Sequence, residues 1–154
     1  MLVTRRALVA AAFALPVGGT VLRPALAGET AIFAPGGAAI SGYDPVAYFT
    51  EGRPVPGQAN HALMWRGATW FFDTAAAMET FEMNPAAYAP QYGGYCAYSM
   101  SMGALSPSVP EAFTVYRGRL YLYSSVNARA TWSGDISGNL ARADANWPTT
   151  IAGQ

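Results

Sequence analysis

Cys96, Met100 and Met102 place three sulfur atoms within seven residues, in the stretch "YGGYCAYSMSMG" (92–103), and Cys96 is the only cysteine of the 154-residue chain. Thiolate and thioether are the ligands that select Cu(I) and related soft ions. In a helix over residues 95–101, Cys96 and Met100 would stand at i and i+4 and face the same way. Met102 would point elsewhere unless the helix ends by then, as Gly103 suggests. A soft-metal site of Cys96, Met100 and Met102, completed by His61 or Met64, is therefore one expectation. Two others fit the same residues. Free cysteine is among the most buried residue types, and methionine fills gaps beside aromatic rings. Tyr88, Tyr92, Tyr95 and Tyr98 supply such rings nearby. A reactive thiol, free to form a mixed disulfide or an intermolecular dimer, needs an activating base or cation. None is visible beside Cys96.

Other chemistry is scarce. His61 is the only histidine and alternates with Leu63 and Trp65, as on a strand. No G-x-S-x-G, glycine-rich phosphate loop or H-E-x-x-H pattern occurs. Glu79 and Glu82 lie three apart on one predicted helix, as a solvated face would have them, and no oxygen cluster suits a hard cation. No catalytic residue is assigned, and the expectation is a non-enzyme.

The N-terminus narrows the setting. Arg5 and Arg6 precede an apolar run from Ala7 to Leu22, and Ala25-Leu26-Ala27 forms an A-x-A cleavage site. This is the layout of an export signal over residues 1–27, and "TRRALV" gives it a twin-arginine character. Pro16, Gly18 and Gly19 interrupt a run already short for a membrane span. Cleavage near Ala27 predicts a periplasmic or secreted protein starting at Gly28, with no stable membrane span. It would keep six arginines against nine carboxylates. No basic run survives, so nucleic acid is a poor partner. In an oxidising compartment a lone cysteine is buried, metal-bound, or open to a partner outside the chain.

The elements that must position these residues follow from an internal repeat. "RGATWFFDTAAAMETF" (66–81) and "RGRLYLYSSVNARATW" (117–132) align without a gap at an offset of 51. Apolar strands flank each Arg-Gly pair, which predicts two hairpins. Asp, Thr and Ser side chains after the second strands can cap the helices that follow. Phe81 and Trp132 close the apolar face of each helix. Asp44-Pro45 opens a helix or turn, "NPAAYAP" (84–90) is a short helix bounded by prolines, and Ile136, Leu140, Ala143 and Trp147 mark one face of a C-terminal helix that Pro148 ends. The expected fold is a single small α+β domain over residues 42–148, with two ββα units, a short middle helix and a C-terminal amphipathic helix. Residues 28–41 read as a loosely held lead-in and 149–154 as a tail.

"GYDPVAYF", "WFF", Phe81, Pro85 and Tyr88 in F-x-x-x-P-x-x-Y, "YAPQYGGYCAY", Gly118 to Leu122 in G-x-LYL and the final "ADANWP" resemble the exported YHS-domain proteins of bacteria. The match runs from about Gly42 to Pro148. The resemblance implies a small module suspected of binding metal. Family members carry D-P-V-C-G-M and a cysteine directly after the Y-F pair. Here Ala47 follows Asp44-Pro45-Val46, and Asp73 follows Phe71-Phe72, so both of those sulfur positions are vacant. The expected function is a binding module for a soft ion such as copper, through Cys96 and its methionines, or for an unidentified periplasmic protein. The alternative is a structural or protein-interaction domain with an inert buried cysteine.

Overall fold

The computed structural model describes residues 31–152; the expected export signal lies outside the described residues. Four strands and six helices among them form the expected α+β domain. Strand β1 (Gln58–Trp65) pairs antiparallel with β2 (Ala68–Phe72), and β3 (Val109–Tyr116) with β4 (Arg119–Tyr123). Arg66-Gly67 and Arg117-Gly118 are the two-residue turns, with every φ positive (49° and 75°, 49° and 72°). Such turns match the right-handed twist of the strands they join. Both hairpins are irregular at the same place, between Gln58 and Ala62 and between Val109 and Phe113.

Each second strand runs into a capped helix. Thr74 Oγ1 accepts from Ala77 N (3.1 Å) at the start of α2, Ala75–Met83, and Ser125 Oγ from Ala128 N (3.0 Å) at the start of α5, Val126–Gly134. Phe81 and Trp132 are buried against the aromatic rings of their own hairpins.

The duplication reaches further upstream than the sequence alignment. A 3-10 turn at Ala39–Gly42 has left-handed backbone at Ile40, Ser41 and Gly42 (φ 44°, 59°, 81°). A second, at Gln91–Gly94, repeats it at Tyr92, Gly93 and Gly94 (φ 54°, 62°, 86°). Each turn leads into a short helix, α1 (Ala47–Thr50) and α4 (Ala97–Ser101). Behind the two units come α3 (Pro85–Tyr88) and α6 (Ile136–Ala152). Left-handed backbone costs a non-glycine residue about 1–2 kcal/mol, so the turns persist only because packing holds them. Ile40 is buried in the core, and its Cγ2 lies where a Cβ on Gly94 would stand. The two turns are thus packed against each other.

β4 stands between two cores. Leu120 and Leu122 face a cluster with Trp70, Phe72, Phe81, Tyr48 and Ile40. Tyr121 and Tyr123 face the other way, into a cluster with Cys96, Met100, Tyr92 and Trp132. Strand alternation therefore makes one strand serve both cores. The α6 face of Ile136, Leu140, Ala143 and Trp147 covers the second cluster.

Two boundaries differ from expectation. Residues 31–41 are not loosely held: Phe33 N donates to Gly93 O (2.9 Å), and Ala39 and Ile40 are core residues. Their small, turn-prone composition serves the left-handed turn. Pro148 does not end the last helix, which continues to Ala152 and takes up the first four residues of the expected tail. Proline removes one backbone donor there, while Thr149 Oγ1 donates to Asn146 O (2.9 Å).

Gly94→Ala drives a Cβ to within 2.5 Å of Ile40 at φ +86°. The expected cost is about 1–3 kcal/mol, read by denaturant unfolding. The solvent-facing Gly36→Ala, also at positive φ but with no atom within 4 Å of its new Cβ, is the control and should cost less.

Candidate functional site

Cys96 caps helix α4. Its Sγ accepts the Ser99 amide proton (3.5 Å), and its S–H points to Ser124 Oγ (3.4 Å) at the end of β4. Its own backbone N donates to Ser106 O (2.9 Å) and bridges to Leu122. One side chain thus ties the helix start to the strand end.

Asp44 does the same in the first unit. Its Oδ1 accepts from Val46 N (2.8 Å) and Ala47 N (3.3 Å), and its Oδ2 from Asp73 N (2.9 Å) at the end of β2. Asp44 N donates to Val55 O (2.8 Å), as Cys96 N does to Ser106 O. Asp44 follows its left-handed turn by two residues, and Cys96 follows its own by two. Four residues on stand Tyr48 and Met100, each buried in the core of its unit. The i, i+4 spacing of Cys96 and Met100 is therefore the spacing of a cap and a core residue, used twice.

The expected sulfur cluster is only partly assembled. Cys96 and Met100 share one core and are both 0% exposed. Met102 is 63% exposed, just past the helix, and Met64 is 67% exposed on β1, where Thr69 Oγ1 donates to its sulfur. A ligand set enclosing Cys96 does not reach either of them without rearrangement. His61 lies on β1 with Nδ1 3.2 Å from Asp73 O, in the other unit and outside both cores. Among the described residues no group of three or more His, Cys, Asp or Glu side chains comes together.

The electrostatics of the two caps differ in balance. For Cys96, burial pushes the thiol up, but hydrogen bonding with Ser124 and Ser99 outweighs it and brings the pKa below the ordinary thiol value. For Asp44, burial prevails over the amides of Asp73, Val46 and Ala47, and its pKa is raised. The linkage signs are opposite. Cys96 contributes stability above the ordinary thiol pKa that is lost as pH falls through its folded value. The Asp44 contribution is full below the ordinary carboxyl pKa and lost as pH rises through its folded value. Beside Cys96, the Tyr123 hydroxyl is buried with no partner in hydrogen-bond geometry, and burial pushes its pKa up to about 12. Its counterpart at the offset of 51 is Phe72, which has no hydroxyl to satisfy.

Sequence reasoning missed a second feature. Two adjoining clefts, of about 240 and 250 Å³, share Gln91 and Arg119 as a common wall. Both Arg-Gly turns reach them: Arg66 lines the first, stacked 4.5 Å over Trp65, and Arg117 lines the second, 5.1 Å over Tyr116. The identical placement of an arginine after an aromatic in both turns was the available signal.

Compared with known families, curated proteins and solved structures, the chain matches none. No helix among the described residues is long and apolar enough to cross a membrane.

Cys96→Val keeps apolar volume but leaves the Ser99 amide without its acceptor, whereas Cys96→Ser keeps an acceptor. The valine variant should be the less stable by about 1 kcal/mol in denaturant unfolding. A serine variant less stable than the valine one would show that sulfur packing, not capping, matters at this position.

Proposed function

We propose that the chain is an exported, YHS-type binding module in which Cys96 serves as an internal helix cap. The observation that carries this reading is the equivalence of Cys96 and Asp44. At matching positions a carboxylate and a thiol both accept from amides of a helix start and both reach a strand end, the carboxylate accepting from the Asp73 amide and the thiol donating to Ser124 Oγ. The element that the two halves share is the cap, and the cysteine is one way of making it. The family resemblance over residues 42–148 and the signal-like residues 1–27 support export and the module class.

A second reading has its own support. Cys96 and Met100 share a buried core, and hydrogen bonds favour the thiolate. A thiolate and a thioether suit Cu(I) in low coordination. The vacant YHS-type sulfur positions, and the exposure of Met64 and Met102, weigh against it.

Copper analysis of the exported protein, wild type beside Cys96→Ser, separates the two. The cap reading predicts the same low copper content in both, with a mature mass that starts at Gly28. One Cu(I) per chain in the wild type, lost in Cys96→Ser, would establish the metal reading instead.

A further inference from the structure

The two clefts carry charge opposite to that of the domain around them. Residues 31–152 hold six arginines and eight carboxylates, yet three of those arginines (Arg66, Arg117 and Arg119) line the clefts. Asp144 is the one carboxylate among the lining residues, and its Oδ1 accepts a hydrogen bond from Tyr92 Oη (2.8 Å). Arg53 and Arg142 are held in ion pairs, whereas Arg117 and Arg119 form none among the described residues. Arg119 donates to Gln91 Oε1 (3.1 Å), which holds its guanidinium at the wall between the clefts. Arg117 occupies a left-handed backbone position that costs an arginine more than the usual asparagine or glycine. A hairpin turn alone does not call for arginine there.

We propose that this paired cleft binds a small aromatic carboxylate. The guanidinium groups of Arg117 and Arg119 would take the carboxylate, which suits the planar fork of arginine donors. The half-buried side chains of Tyr116 and Leu140 in the lining of the second cleft would take the ring. Asp144 in the lining favours a ligand with a single negative charge over a doubly charged phosphate. Each cleft alone lies below the roughly 300–1,000 Å³ of drug-sized sites, and the named contacts all line the second cleft, so the ligand is small. The inference rests on the reading of the chain as a binding module and adds a ligand class to it.

The test is titration of the folded protein with benzoate, with its neutral isostere benzamide and with inorganic phosphate, followed by amide chemical shifts. Benzoate should give saturable shifts at Gln91, Arg119 and Tyr121, with benzamide and phosphate each binding at least about tenfold more weakly. Arg119→Ala should weaken benzoate by about tenfold and leave benzamide unchanged, while Arg142→Ala, away from the clefts, leaves both unchanged. Arg119 is exposed, so the variant's shifts elsewhere should match the wild type. Equal binding of benzoate and benzamide, equal binding of phosphate, or saturable shifts confined to another surface would overturn the proposal, as would the absence of any saturable shift. Such a failure is distinct from failure of the cap reading, which copper content at Cys96 decides independently.

Discussion

A buried side chain that bonds a helix start to a strand end is the interaction on which each half of this domain depends. Asp44 joins the amides before α1 to Asp73, and Cys96 joins the amide of Ser99 to Ser124. Without it, the first amides of a helix would be enclosed and unpaired, at about 1–3 kcal/mol for each unsatisfied group. The cap also fixes where the second strand stops, and so where Thr74 or Ser125 begins the next helix.

The halves are joined by backbone more than by charge. Left-handed turns at Ile40–Gly42 and Tyr92–Gly94 meet where glycine leaves room for Ile40. β4 divides its side chains between the two cores, so the first core is completed by Leu120 and Leu122 of the second half, while the second core is built from its own half. α6 seals the second core and braces its cap helix: Asn146 Nδ2 donates to Met100 O (3.0 Å) and Ser101 O (3.3 Å), and Tyr92 Oη donates to Asp144. The same packing brings the arginines of two distant hairpin turns to one pair of clefts.

The hairpins, their helices and the short α3 were legible because apolar alternation, Arg-Gly turns and capping side chains leave marks at fixed spacing. The upstream part of the duplication was not. Ile40-Ser41-Gly42 and Tyr92-Gly93-Gly94 share a backbone conformation but little side-chain chemistry, and the offset shifts from 51 to 52 between turn and hairpin. Asp44 and Cys96 look unrelated as letters and become equivalent only through their hydrogen-bond partners. Cys96, Met100 and Met102 lie close in sequence, yet the end of α4 sends Met102 to solvent. Pro148 reads as a stop signal, but a helix can lose one donor when the face beside it is already packed.

The two caps differ in the balance at a single proton: burial prevails at Asp44, whereas at Cys96 hydrogen bonding outweighs burial and favours the thiolate. Ultraviolet thiolate absorbance during a pH titration measures this, with the Cys96→Ser protein as the blank for tyrosine ionisation. The account predicts a thiol midpoint below the ordinary cysteine value in the folded protein. A midpoint at or above that value would contradict it, leaving Cys96 as core filling with no anion-holding cap around it.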